Sequence, residues 1–344
     1  MWRCFAIRFI VVGFFGLLAE FPVSLDQLNT LIGDDMLAVD SVIHARLHSD
    51  VVLVRQVAEY LVNSGGKRLR PAVLLLAAKA AGYQGAHHHE LAAVVEFIHT
   101  ATLLHDDVVD ESALRRGRST ANAAFGNAAS VLVGDFLYSR AFQMMVSVGS
   151  MRVMEILSEA TNVIAEGEVL QLMNCHDADV DVERYLQVIR YKTAKLFQAS
   201  ARLGGVLGKV DAAMEQGFAD YGMHLGTAFQ LIDDVLDYSG NEQETGKHLG
   251  DDLAEGKPTL PLIFVMDNGT KAQAAAVREA IESGGREALP QVIDAVRSTG
   301  ALDYTVEQAR IEAGRANSAL FALPGSQFKD ALLYLSAFAV ERRH

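Results

Sequence analysis

Residues 103–118, with the sequence LLHDDVVDESALRRGR, decide how the rest of the chain is interpreted. Asp106 and Asp110 are four residues apart, so on a helix their carboxylates stand on one face among apolar side chains. Carboxylates in apolar surroundings are costly unless a cation lies beside them. Oxygen ligands suit Mg²⁺, and the following Arg115 and Arg116 suit phosphate. Taken alone, the segment predicts either a Mg²⁺ site for a phosphorylated substrate or an exposed acidic helix end.

The composition limits the class of protein. The chain has 344 residues, of which half are hydrophobic and only six are proline, so it can form a large, mainly helical core. Its net charge of -13 argues against nucleic acid or an anionic membrane as a partner. The only cysteines are Cys4 and Cys175, which support neither a disulfide framework nor a zinc site. This cysteine usage fits a reducing compartment, and we expect a cytoplasmic location.

The first 22 residues differ in character from the rest. Arg3 and Arg8 precede an apolar run over residues 9–19, which resembles a signal peptide. The run is shorter than the ~20 apolar residues that span a bilayer. Three interpretations are an interfacial anchor, a signal peptide and upstream translation outside the native protein, and we favour the third. We therefore divide the chain into an apolar extension, residues 1–22, and one domain, residues 23–344.

From Ser24 onward the hydrophobic pattern is helical nearly throughout. No strand alternation or βαβ spacing occurs, and the glycines follow no fixed period. We predict an all-α fold, with separate helices over residues 25–32 and 36–47, a turn over 119–127 and a continuous helix over 182–205. Residues 87–89 are three histidines, but adjacent residues on a helix do not face one point, so we do not predict a metal site there.

A second acidic motif repeats the spacing of the first. Asp233 and Asp237 are again four apart, and Gln230 lies one turn before them. Two such motifs facing each other would bury a large negative charge, which divalent ions bound to one diphosphate would offset. Such a cluster makes diphosphate a better leaving group. The predicted catalytic acids are Asp106, Asp107, Asp110, Asp233, Asp234 and Asp237.

Further segments join these motifs into a family pattern. They are GGKRLRP at residues 65–71, His99, Lys192 with Thr193, and GKPTLP at residues 256–261. With the two acidic motifs, they resemble the all-trans polyprenyl diphosphate synthases from about residue 24 to the C-terminus. The resemblance implies a single large helical bundle of the isoprenyl diphosphate synthase type, with a central active-site cavity.

The resemblance also implies a reaction and roles for residues. An allylic diphosphate, with farnesyl diphosphate as the expected starter, ionises, and successive isopentenyl diphosphates attack its C1 to extend the chain in trans. Three Mg²⁺ ions per active site are implied, two held by Asp106 and Asp110 and one by Asp233. The implied ligands of the allylic diphosphate are Arg115, Lys192, Thr193, Gln230 and Lys257. Those of isopentenyl diphosphate are Lys67, Arg70, His99 and Arg116. A homodimer and a membrane-soluble product are also implied.

Product length depends on the residues before the first motif. In this family the product grows along an apolar tunnel, and bulky aromatics five or four residues before Asp106 stop it early. Here those residues are the small Ala101 and Thr102, so a long product is expected, with octaprenyl diphosphate for quinone side chains as the best match. Met145 and Leu157 are candidates for the tunnel floor, and a core-packing role is equally compatible with both.

Three alternatives stay open. The product could be shorter or longer. A class I terpene cyclase also uses an Asp-rich helix, although its second metal motif is normally Asn/Asp-x-x-Ser/Thr-x-x-x-Glu. A non-catalytic partner subunit of a heteromeric synthase would tend to lose one acidic motif, whereas both are intact here.

Overall fold

The computed structural model describes residues 25–62, 66–115, 117–239, 249–284 and 286–342. The first helices are α1 (Leu25–Arg46), α2 (Val52–Val62), α3 (Leu69–Ala80), α4 (His87–Val109), α5 (Ala121–Phe125), α6 (Asn127–Ser147), α7 (Met151–Asn174), α8 (Val182–Ile189), α9 (Lys195–Leu207) and α10 (Ala212–Ser239). The C-terminal helices are α11 (Asp251–Ala254), α12 (Leu260–Asn268), α13 (Lys271–Ser283), α14 (Leu289–Ser298), α15 (Ala301–Ala319) and α16 (Gln327–Glu341). A π-helical segment, Arg190–Ala194, joins α8 to α9. The prediction of an all-α fold is confirmed.

Helix α4 lies at the centre of the larger apolar core. Four consecutive residues, Ala92 to Val95, are fully buried, so the helix is surrounded by protein on all sides. It packs against α1, α3, α6 and α9, and the same core extends to α7, α10 and α16. A smaller apolar cluster joins α12, α13, α14 and the start of α15. The first acidic motif therefore stands at the end of a helix that the core encloses.

Three local predictions are wrong. Residues 25–46 form one helix through Gly33, because Ile32, Val39 and Ile43 all bury their side chains in the same core. The predicted turn contains the short helix α5. The predicted continuous helix is interrupted by the π-helical segment.

The only strands in the described part of the chain are a very small pair next to the first motif. Strands β1 (Leu114–Arg115) and β2 (Arg118–Ser119) are antiparallel, with Arg115 opposite Arg118. A hairpin this short carries no alternating pattern that a sequence could reveal.

No helix among the described residues is long and apolar enough to cross a membrane. The proposed extension, residues 1–22, lies outside the described residues, so the division of the chain at residue 23 stays a prediction.

Candidate active site

The two acidic motifs stand at the C-terminal ends of α4 and α10 and line one cavity of about 810 Å³. A helix carries partial negative charge at its C-terminus, where unpaired carbonyl groups collect. Carboxylates placed there add to that charge, and five of the six predicted acids line the cavity, all except Asp107. The cavity wall formed by these two helix ends therefore favours cations.

In the first motif, two carboxylates are paired with lysines from distant parts of the chain. Lys192 Nζ lies 3.5 Å from Asp106 Oδ2, and Lys257 Nζ lies 3.2 Å from Asp110 Oδ2. Burial tends to lower the pKa of both lysines, but the surrounding carboxylates outweigh it and hold both above their ordinary value. Both lysines are therefore charged, and they face the carboxylates assigned to metal.

The third acid of this motif, Asp107, has a different position. It is buried, and Arg115 donates to its Oδ1 from Nε at 2.8 Å and from Nη2 at 2.6 Å. Burial raises the pKa of Asp107, while the arginine opposes that rise. We infer that Asp107 fixes Arg115, which lines the cavity.

In the second motif, one acid pairs with an arginine and its neighbour is almost fully buried, although both line the cavity. Arg342 Nη2 lies 2.7 Å from Asp233 Oδ1. The neighbouring Asp234 is almost fully buried and accepts hydrogen bonds from Tyr185 Oη at 2.5 Å and Gln230 Nε2 at 2.9 Å. Burial, reinforced by nearby acids, raises the pKa of Asp234 to about 8. Asp234 therefore positions Gln230, whose Oε1 accepts from Thr193 at 3.0 Å.

Asp237, the last acid of the second motif, contacts the start of α11. Its Oδ1 accepts from the backbone N–H of Asp251 at 3.2 Å, and its Oδ2 from that of Asp252 at 3.3 Å. A carboxylate at a helix N-terminus is stabilised by the free N–H groups there. Asp237 thus joins α10 to the segment that leads to Lys257.

The π-helical segment presents Lys192 and Thr193 to the cavity. π-Helical turns widen a helix locally and are frequent at functional sites. Helix α7 approaches this segment at Gly167, where a β-carbon would lie 2.6 Å from the backbone nitrogen of Lys192. A glycine is therefore required for this packing, and its position explains how α7 and Lys192 come so close.

The basic residues assigned to the second substrate also lie at this cavity. Lys67, Arg70 and His99 line it, and Arg70 Nη1 lies 3.2 Å from His99 Nε2. The Arg70 guanidinium also lies over the ring of Phe197, 4.5 Å from its centroid. The fold therefore brings Arg70 and His99 together, although they are 29 residues apart in the sequence. Arg116, assigned to the same substrate, lies outside the described residues.

Five charged residues that line the cavity were not among the predicted site residues: Arg68, Glu96, Glu168, Asp252 and Arg342. Glu168 accepts from Lys192 Nζ at 2.5 Å, and burial, with Asp106 nearby, raises its pKa to about 7. Its only signal was its place beside Gly167, which the exposed Glu166 shares. Arg342 has no comparable signal, because it is one of several charged residues after the last predicted helix.

The four residues assigned to product length divide into two groups. Thr102 lines the cavity, and its hydroxyl donates to the carbonyl of His99 at 2.8 Å. Ala101, Met145 and Leu157 are fully buried in the main core. Their role in setting product length stays a prediction.

Comparison with known proteins agrees with this geometry. The sequence profile of the polyprenyl synthetase family matches residues 51–297. The chain is 54% identical to octaprenyl diphosphate synthase of Escherichia coli K12 over 321 residues, which cover 93% of this chain and 99% of that protein. It is 50% identical to the octaprenyl diphosphate synthase of Haemophilus influenzae over 323 residues, covering 94% of this chain and 98% of the relative.

A solved structure shows the same fold. Polyprenyl synthase of Caulobacter crescentus, crystallised with calcium and isoprenyl diphosphate, aligns with a TM-score of 0.90 and 46% identity, covering 93% of this chain and 98% of the other. Family profile, relatives and architecture agree with the two acidic motifs and the basic residues around the cavity. The chain therefore belongs to the polyprenyl synthetase family and is a prenyltransferase.

Proposed function

We propose that the protein condenses farnesyl diphosphate with successive isopentenyl diphosphates, in trans, to give octaprenyl diphosphate for quinone side chains. The observation that supports this best is the cavity itself, in which two helix ends bearing Asp-Asp-x-x-Asp motifs face phosphate-binding cations. The product assignment rests on the two octaprenyl diphosphate synthases that the chain resembles.

The carboxylates fit the Mg²⁺ on which this family depends. The donor set is oxygen-only, as this hard cation prefers. Asp106 and Glu168 also share the single ammonium of Lys192, which leaves net negative charge at a partly buried place. Asp106, Asp110 and Asp233 would hold three ions. When bound, Mg²⁺ would neutralise charge that collects on the diphosphate as the C–O bond breaks.

The basic residues have the complementary task. Lys192, Lys257 and Arg342 each pair with one of the three proposed metal-binding carboxylates. We infer that Lys192 and Lys257 contact the allylic diphosphate, together with Arg115, Thr193 and Gln230. Lys67, Arg70, His99 and Arg116 would hold isopentenyl diphosphate.

The bond changes need no protein nucleophile. The allylic C1–O bond breaks with its electron pair leaving on diphosphate, and the double bond of isopentenyl diphosphate attacks C1. The attack leaves a cation on the isopentenyl unit. A proton then leaves the carbon next to that cation, its electron pair forms the new double bond, and we infer that the departing diphosphate accepts the proton. The chain's own residues hold the two diphosphates so that the isopentenyl double bond lies next to the allylic C1, and they stabilise the leaving group.

The family resemblance also leads us to propose a homodimer in the cytoplasm that releases a membrane-soluble product. Exposed apolar side chains on two neighbouring helices support an interface between copies. Leu132 and Val146 on α6, and Val169 and Leu172 on α7, are each more than half exposed. Light scattering after size-exclusion chromatography tests this, and a monomer at working concentration would contradict it.

The proposed function is tested by incubating the protein with farnesyl diphosphate, isopentenyl diphosphate and Mg²⁺ and sizing the products. We expect a C40 all-trans diphosphate as the main product. Release of diphosphate and a cyclic hydrocarbon without isopentenyl diphosphate would instead identify a terpene cyclase. No turnover by the purified chain would favour a non-catalytic partner subunit.

A further inference from the structure

A cluster of Asp35, His88 and His89 lies at the end of α4 that is farthest from the acidic motif. Asp106 is almost five helical turns away, a distance of roughly 25 Å. None of the three residues is among those that line the described cavity. The cluster is therefore separate from the active site.

Three ligand atoms converge in this cluster. Asp35 Oδ1 on α1 lies 3.2 Å from His88 Nε2 and 2.9 Å from His89 Nε2, and the three atoms are all within 4.8 Å of one another. A cation bound at 2.0–2.2 Å to both nitrogen and oxygen would separate them by roughly 2.8–3.6 Å, for angles between 90° and tetrahedral. The spacing already present matches that range.

The surroundings hold these groups in place. Lys79 Nζ lies 2.8 Å from Asp35 Oδ2, so the second carboxylate oxygen is held and Oδ1 is left toward the imidazoles. His88 is buried, and its Nδ1 has no hydrogen-bond partner among the described residues, so its polar contact is made through Nε2. The two imidazole rings lie 3.9 Å apart. The sequence predicted no convergence of these histidines. In the structure, His88 and His89 in the first turn of α4 both contact Asp35 of α1.

We infer that His88, His89 and Asp35 form a binding site for one borderline divalent cation such as Zn²⁺. Two imidazoles and a carboxylate suit Zn²⁺ and its Co²⁺ substitute, whereas Mg²⁺ prefers oxygen ligands alone. The ammonium of Lys79 opposes a second cation nearby, so we expect weaker binding than in a four-ligand structural zinc site. The ion would join α1 to α4.

The surroundings of this cluster also favour a protonation state that can bind metal. Burial lowers the pKa of His88. Burial raises the pKa of Asp35, but hydrogen bonds from Lys79 and the two histidines outweigh it and hold the value below normal. A neutral imidazole and an ionised carboxylate are the forms that ligate metal.

Zinc binding to the tag-free, chelator-treated full chain, in excess Mg²⁺ to occupy the acidic motifs, tests the site. Isothermal titration with Zn²⁺ should show one ion bound per chain. Visible absorption with Co²⁺ should show that the ion has nitrogen ligands. His89→Ala and Asp35→Asn should each bind that ion at least tenfold more weakly. His87→Ala is the matched control, because His87 is exposed and adjacent but outside the cluster.

Thermal melting provides a second readout. Zn²⁺ should raise the melting temperature of the wild type and of His87→Ala but not that of His89→Ala, since a ligand that binds only the folded state stabilises it. Melting without metal shows whether each variant folds. Absence of Zn²⁺ binding by the wild type, equal binding by His89→Ala, or equal loss in His87→Ala would overturn the assignment.

Discussion

Arg342 is the residue whose position in the fold was hardest to foresee. Its side chain is almost fully buried, lies over the Phe229 ring at 3.7 Å, donates to the Phe229 carbonyl at 2.5 Å and pairs with Asp233. It therefore joins the segment after α16 to one proposed metal ligand. A buried charge pair that loses one partner leaves the other charge uncompensated.

Arg342→Gln tests this contact. We expect kcat/KM to fall at least about tenfold, equivalent to ~1.4 kcal/mol of transition-state stabilisation, because Asp233 loses its orientation. Steady-state kinetics at saturating Mg²⁺ measures the effect. Arg278→Gln is the control, since Arg278 is exposed and pairs with Asp179 away from the cavity. Equal activity in the two variants would show that Arg342 has no part in the site.

Thr102 tests the assignment of product length. It faces the cavity, unlike the fully buried Ala101, so an aromatic ring at residue 102 has space that one at residue 101 lacks. We expect Thr102→Phe to shift the product distribution to shorter chains. Ala101→Tyr should do the same but also lower stability by about 1–3 kcal/mol through overpacking. Chromatography of the products decides, and unchanged lengths in both folded variants would refute the tunnel.

Among the elements, the π-helical segment depends on the close approach of Gly167. Gly167→Ala would place a β-carbon against the backbone of Tyr191 and Lys192 and force the segment away from α7. We expect kcat/KM to fall about tenfold or more while the helical circular dichroism is retained. Gly314→Ala on α15 is the control, because no atom lies within 4 Å of its added β-carbon. Wild-type activity in Gly167→Ala would contradict the packing argument.

Helices α10 and α15 are joined by a buried acid, which gives stability a defined pH dependence. Glu312 on α15 accepts from His224 on α10 at 2.5 Å and from Arg315 at 2.6 Å. Burial raises its pKa, but His224 and the arginines outweigh that rise and hold it below normal. Because the folded-state value is depressed, this stability is present above the unfolded pKa of about 4.3 and is lost as pH falls through the folded value.

Glu312→Gln should therefore destabilise the protein by about 1–3 kcal/mol near neutral pH. The difference in melting temperature from the wild type should narrow as pH falls below about 4.3. Thermal melts across a pH series measure this. A difference that stays constant or grows in acid would contradict the assignment.

For the whole molecule, the sequence predicted the features that depend on local chemistry. Both acidic motifs were identified because acids stand at helical spacing on apolar helices, whereas the roles of Lys192 and Gln230 came from the family resemblance. The all-helical class followed from the hydrophobic period. The spacing of the acids and the hydrophobic period both depend only on residues that are close together in the sequence.

Features that depend on tertiary packing could not be predicted in this way. Arg342 reaches Asp233 only because α16 docks beside α10, and the π-helical turn forms where Gly167 admits it. The histidines at the start of α4 converge only through Asp35 of α1. In each case the deciding partner is distant in sequence, and no local pattern reports it.

We propose that both acidic motifs act on one diphosphate. Condensation of farnesyl and isopentenyl diphosphates with Mg²⁺, measured for Asp106→Ala and Asp233→Ala, tests it most directly. We predict that each variant keeps its helical circular dichroism and loses at least about a hundredfold in turnover. Asp267→Ala, which changes an exposed aspartate outside the cavity, should retain full activity. Near-normal condensation by either folded active-site variant would contradict the account.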